Sequence, residues 1–227
     1  MQNAFWTEFS ERTSKFNLLQ HPFYQAWSKG ELTREDLREY AAEYWHHVSA
    51  FPTYLSALHS GLPDGELRRT VLTNLVDEEG LERGGRAHSD LWMDFAEGMG
   101  GARADVEGRA VNAETKALVA GFREMMQAEP ASAMAALYAY ESRVPEIAAT
   151  KADGLEKHYG ADAKAMKYFK LHETADVLHS SVWKSEMDTL IAAGADREAA
   201  LAAGERAAEM LWTALDGVER ERMARRN

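Results

Sequence analysis

No stretch of this chain alternates apolar and polar residues with period two for long enough to make a strand, whereas apolar residues recur at helical spacing almost throughout. That pattern confines the fold to packed helices. Glycine and proline supply the punctuation. A first helix is predicted over about 3–19, and a short second one from Pro22 to Gly30. Thr33 and Asp36 resemble a capping box opening a long helix towards residue 60, kinked at Pro52 and closed by Gly61 and Pro63. A third long element covers about 64–79, is interrupted by GLERGG, and resumes through AHSDLWMDFAEGM. Residues 98–110 read as the longest loop. Helices follow at about 112–128, 131–152, 162–193 and 196–224, with 220–227 a frayed basic tail.

No repeat, linker or shift in composition divides the chain. The expectation is therefore one all-α domain over 1–227, with seven or eight helices. Only 5 prolines in 227 residues and an abundance of Ala, Glu, Leu, Arg and Met agree with that class. The absence of cysteine excludes disulfides, iron–sulfur clusters and a thiol nucleophile. A formal charge of −11 argues against a nucleic-acid surface, which needs a basic patch. The start, MQNAFWTEFSER, lacks the basic and apolar regions of a secretion signal, and no apolar run approaches the length of a membrane span. A soluble, cytoplasmic protein is expected.

Chemistry concentrates in LHETADVLHSSVW. At about 100° per residue, spacings of four and seven put His172, Asp176 and His179 on one helical stripe. Imidazole and carboxylate are ligands that iron or manganese accepts. The plainer alternative is two satisfied histidines and a surface aspartate. Glu141 sits in an apolar helix face with Met134, Leu137, Tyr138 and Val144, where a carboxylate is costly unless paired, protonated or bound to a cation. Pro145, four residues on, removes the helical partner of the Glu141 carbonyl, so a bend is expected there. The alternative places Glu141 at the solvent edge. A third helix offers Glu78 and His88, beside Asp77, Glu79 and Glu82; here the alternatives are a solvated acidic face and a core histidine against Leu91 and Trp92. Carboxylate and imidazole projecting inward from facing helices are how bundles build dinuclear sites.

The signatures NLVDEE…H..LW, ALYAYES.VP.IA..K and YF..HE.AD..H, with HPFYQAWSKGELT and HVSAFPTYLSALHSG before them, resemble the heme-oxygenase-like dimetal oxidases. More narrowly, they are similar to the Chlamydia protein associating with death domains and its bacterial relatives, over most of the chain up to about residue 190. The resemblance implies a heme-oxygenase-like bundle and a ligand set that falls on Glu78, His88, Glu141, His172, Asp176 and His179. The first pair departs from the pattern, being ten residues apart instead of seven. On a straight helix ten residues span about 15 Å and leave an offset of about 80°. Gly80, Gly84 and Gly85 point to the additional residues looping out. Glu78 is preferred over Glu82 because NLVDEE aligns without a gap.

The resemblance further implies a 4-aminobenzoate synthase serving folate biosynthesis. It implies two metal ions (Fe/Fe or Fe/Mn), with dioxygen and an external reductant as co-substrates, and a homodimer. In that reading Tyr24 is consumed as the source of the ring, Lys151 is the nitrogen donor, and Tyr40 and Tyr140 relay radicals or electrons. The chemistry is sound: a phenol gives up an electron and a proton readily, and a lysine becomes nucleophilic once burial or nearby cations depress its pKa. The structural alternatives are aromatic packing of Tyr24 with Phe23 and Trp27, ordinary packing of Tyr140, and a solvated Lys151. Competing functions are a dimetal oxidase with an external substrate and a non-enzymatic helical interaction module. The related thiaminase II group relies on a cysteine, which this chain lacks. The ring-oxidising relative that makes pyrroloquinoline quinone needs no carboxylate-rich ligand set.

Overall fold

In the computed structural model, which describes residues 2–82 and 84–226, every regular element is helical. The order is α1 (Gln2–Ser14), a 3-10 turn (Leu18–Gln20), α2 (Pro22–Ser28), α3 (Arg34–Gly61), α4 (Glu66–Glu78), α5 (His88–Gly98) and α6 (Arg103–Glu107). Then come α7 (Ala113–Met125), α8 (Pro130–Glu141), α9 (Val144–His158), α10 (Lys167–His172), α11 (Ala175–Ala192) and α12 (Arg197–Arg226).

The all-α class is as expected, but twelve α-helices among the described residues exceed the seven or eight anticipated. Two expected helices are broken, and the expected loop at 98–110 contains α6. Pro145 has no N–H for the Glu141 carbonyl, so α8 stops at Glu141 and the proline takes the first turn of α9. The break between α10 and α11 carries no proline or glycine. There the Thr174 amide and hydroxyl both bond to the Leu171 carbonyl at 3.2 Å, three residues back, and Val177 N does the same to Thr174. This tighter turn displaces the regular ladder. By contrast, α3 passes through Pro52 as one element, opened by the reciprocal Thr33–Asp36 capping box.

The expected frayed tail is helical through Arg226. Arg226 reaches the Glu31 carbonyl and Asp36, both at 3.1 Å, and the buried Arg222 pairs with Glu219. Asn227 lies outside the described residues.

Helix α8 lies deepest. Ala131, Ala133, Met134, Ala135, Ala136, Leu137 and Ala139 are all buried, and a helix apolar on every side must be enclosed. It packs chiefly on α12 and α11, and its alanines permit that close approach. The segment after α6 is strapped to α3 by Arg109, whose guanidinium meets Glu43 and Glu39 at 2.6 Å each. Helix α9 comes so near α2 that a Cβ on Gly154 would lie 2.6 Å from Trp27 Cδ1. Trp27 Nε1 donates in turn to the Lys151 carbonyl at 3.2 Å. The aromatic residues of α2 thereby sit against the Lys151 turn.

Candidate metal centre

Four of the six expected ligands stand at helix ends. Glu78 closes α4, His88 opens α5, Glu141 closes α8 and His172 closes α10. Asp176 and His179 belong to the first turns of α11. The breaks at Pro145 and Thr174 therefore aim side chains that an unbroken helix would turn elsewhere.

Glu78 and His88 do come together, through a looped-out link. Gly80 has φ +64°, and a Cβ there would lie 2.1 Å from the Arg86 carbonyl carbon, so only glycine lets the chain double back at that point. His88 Nδ1 then reaches 2.8 Å from Glu78 Oε2. Glu82, the alternative first ligand, is exposed and lines a surface groove.

Two clusters result: Glu78 with His88 and His172, and Glu141 with Asp176 and His179. Within each, the candidate ligand atoms lie within 4.8 Å of one another. The supposed single stripe of His172, Asp176 and His179 is thus divided between two clusters. His172 Nδ1 lies 2.7 Å from the Tyr168 carbonyl, which leaves Nε2 as its free nitrogen. His179 Nδ1 is 3.3 Å from Asp176 Oδ1 and 3.7 Å from Glu141 Oε2. Trp183 Nε1 donates to Glu141 Oε2 at 2.8 Å.

This donor set fits cations. All six residues are buried, yet His88 Nδ1, His179 Nδ1 and Glu141 Oε1 have no hydrogen-bond partner. The close approach of His88 Nδ1 to Glu78 is off the hydrogen-bonding line, as two ligands of one ion would be. Burial, then the charges of Asp176 and Glu78, push the Glu141 carboxyl well above its ordinary pKa. Burial alone would pull His88 and His179 down, but the carboxylates around them, led by Glu78 and Asp176 respectively, hold both above the usual histidine value. Buried oxygens and nitrogens that crowd together and draw in protons are groups a metal ion would satisfy. Mixed carboxylate and imidazole donors without sulfur suit iron or manganese.

Next to the clusters lies a second buried group. Lys151 Nζ donates to Tyr40 Oη at 2.6 Å, Tyr40 Oη is 3.0 Å from Tyr24 Oη, and Lys151 Nζ sits 4.3 Å from the Tyr24 ring centroid. Burial lowers the Lys151 pKa well below its ordinary value and raises both tyrosines well above theirs. Tyr24, Lys151, Tyr140 and Tyr168 line one small cavity. Tyr140 and Tyr168 also line a second, with Glu78, Glu141, His172 and Asp176, so these two phenols form the wall between the lysine and the ligand clusters.

Tyr168, Trp183 and Asp77 stand close to the site although the sequence reading assigned them no role. Tyr168 stacks on His172 with ring centroids 4.0 Å apart. Helical spacing carried a signal for two of them: Tyr168 is four residues before His172, and Trp183 is four after His179 and seven after Asp176.

Fold and clusters together define a helical protein with two adjacent carboxylate–imidazole sites. Residues 38–212 match the family model of iron-containing redox enzymes, and the chain belongs to that family. It is similar to a 4-aminobenzoate synthase of Nitrosomonas europaea, with 41% identity covering 95% of this chain and 91% of that one. A 4-aminobenzoate synthase of Chlamydia trachomatis is 40% identical over 88% of this chain and 85% of its own. Among solved structures, a TenA homologue from Pseudomonas syringae superposes with a TM-score of 0.82 at 20% identity, covering 96% and 93% of the two chains. A CADD-like protein from Nostoc punctiforme gives 0.66 at 20%, covering 94% and 98%. Both likenesses concern the fold. Membership of a family of redox enzymes speaks for the enzymatic readings and against the non-enzymatic module, a second alternative.

Proposed function

We propose that this chain is an oxygen-dependent 4-aminobenzoate synthase that draws the product's ring from its own Tyr24 and the nitrogen from Lys151. Glu78, His88 and His172 would hold one metal ion, and Glu141, Asp176 and His179 the other, as Fe/Fe or Fe/Mn. Such a pair of reduced ions supplies the binding and activation of dioxygen, with electrons from an external donor.

The observation that carries this reading is the position of Lys151. Its amine lies over the Tyr24 ring, sealed among aromatic residues. Burial favours the neutral form, whose lone pair is nucleophilic. Because Lys151 donates to Tyr40 Oη, the Tyr40 proton is free to point at Tyr24 Oη, which orders the three groups. Tyr140 and Tyr168 exclude bulk water between this pair and the ligand clusters, and their phenols lie on the short way for electrons between the two. The cavity at Tyr24 and Lys151 has about 30 Å³ for water-sized molecules, room for a water or two. That leaves no room for an external substrate between Tyr24 and Lys151, so an external one would have to enter by the larger groove beside Asp77 and His179. The names of the two relatives above support the same product.

A cytoplasmic homodimer completes the proposal. Leu81, Val177 and Leu178 are 71%, 57% and 66% exposed, apolar surface of the kind a second copy would cover. Among the described residues no helix is long and apolar enough to cross a membrane.

The test is mass spectrometry of protein loaded with iron and manganese, then given reductant and oxygen, beside Tyr24→Phe. Release of 4-aminobenzoate by the wild type alone, with a matching mass loss at position 24, is the expected result. Metal binding without product and with an intact Tyr24 would sink it in favour of an external substrate.

A further inference from the structure

Asp77 precedes Glu78 in the last turn of α4, yet it faces the other cluster. Its Oδ2 lies 3.0 Å from Nε2 of His179, an ion-pair contact short of an aligned hydrogen bond, while Nδ1 of the same ring is turned towards Asp176 and Glu141 without a hydrogen-bond partner. A histidine that gives one nitrogen to a metal carries a proton on the other, and the acceptor of that proton fixes tautomer and ring orientation. For His172 the acceptor is the Tyr168 carbonyl. For His179 the group in the corresponding place is a carboxylate.

We propose that Asp77 is the positioning residue of the second metal position: from 3.0 Å its carboxylate takes Nε2–H of His179 once the ring aligns, and so holds Nδ1 towards the ion bound with Glu141 and Asp176. The inference rests on the two-metal reading above. The Asp77 side chain is 36% exposed, on a groove also lined by Thr70, Thr73, Asn74 and Val182. Water therefore reaches this carboxylate, whereas Glu141 behind the ring is sealed off. Two consecutive residues of one helix turn thus serve the two positions, Glu78 as a ligand and Asp77 by holding a ligand.

The test uses Asp77→Ala and Asp77→Asn in the full chain. Anaerobic titration with Fe(II) against a competing chelator should give two ions in the wild type. Asp77→Ala should keep one ion at wild-type affinity and lose about 10–100-fold at the other. Asp77→Asn, whose amide oxygen still accepts Nε2–H, should recover most of that loss. Two ions at wild-type affinity in Asp77→Ala would overturn the proposal. So would Asp77→Asn binding as weakly as Asp77→Ala, since the carboxylate would then be acting as a ligand or a bare charge. Imidazole ¹⁵N NMR of the metal-free protein in mildly alkaline buffer reads the tautomer directly, with His179→Gln assigning the signal. A proton on Nε2 in the wild type and in Asp77→Asn, and a tautomer mixture in Asp77→Ala, are expected; a mixture in the wild type would refute the role. A wild type that binds no metal would overturn the two-metal reading, while the tautomer measurement would still decide whether Asp77 orients His179.

Discussion

Lys151 Nζ and Tyr40 Oη, 111 residues apart in sequence, meet at 2.6 Å in a fully buried hydrogen bond. Among the described residues no carboxylate pairs with the amine, and burial is what depresses its pKa. In the unfolded chain the same lysine titrates near 10.5. Between the two values the unfolded state holds a proton that the folded state lacks, so this residue's contribution to stability rises with pH across that window.

Lys151→Met is therefore expected to raise the melting temperature at neutral pH, by about 2–4 °C for each kcal/mol relieved. The gain should shrink as pH climbs towards the ordinary lysine value. Thermal melts of both proteins over a pH series measure it; a gain independent of pH would show that the amine is protonated in the fold.

Removing one histidine from each cluster should separate the metal positions. His172→Ala and His179→Ala are each expected to retain about one of two ions, because each leaves the other three-residue cluster whole. Elemental analysis after desalting reads the stoichiometry. Loss of both ions in either variant would mean a single coupled site.

Gly154→Ala should disturb Lys151 without touching it. The new methyl carbon would fall 2.6 Å from Trp27 Cδ1 and 2.8 Å from its Nε1, forcing the indole off the Lys151 carbonyl. A cost of about 1–3 kcal/mol by denaturant unfolding is expected, together with a lower product yield.

Arg109→Ala should leave Glu43 buried and without its ion-pair partner. Glu43 is 1% exposed and keeps only the bond from Asn112 N to its Oε1, at 2.9 Å. The loss should be about 3 kcal/mol, at the lower end for a broken buried pair because the Arg109 side chain is itself 19% exposed. Equilibrium unfolding of the metal-free protein measures it, and Arg109→Lys should recover only part, since lysine cannot bridge Glu39 and Glu43 with a planar fork.

If Tyr24 is consumed, product should not exceed one 4-aminobenzoate per chain. Quenched time courses with excess oxygen and reductant would show a plateau at or below the protein concentration. Continued turnover past that level would exclude the internal ring as its source.

Much of this protein was legible in one dimension. Apolar spacing of three and four, with no alternation by two, determines a helical class; a proline four residues after Glu141 makes a bend there legible, since a missing N–H is a local fact, but whether the helix bends or ends is not, as α3 running through Pro52 shows. The candidate ligands were legible as residue types, because a glutamate amid Met134, Leu137 and Tyr138 is costly once that face is buried. What local periodicity records is the side of a helix on which a residue lies, not its distance from another helix. The tertiary structure therefore decided the rest. It split His172 from Asp176 and His179 through the Thr174 turn, which no proline or glycine announced. It brought Glu78 to His88 across the doubled-back Gly80 segment and left Glu82 in solvent. It also set Asp77 against His179 and Lys151 over Tyr24, pairs whose partners lie on different helices and meet only when those helices pack.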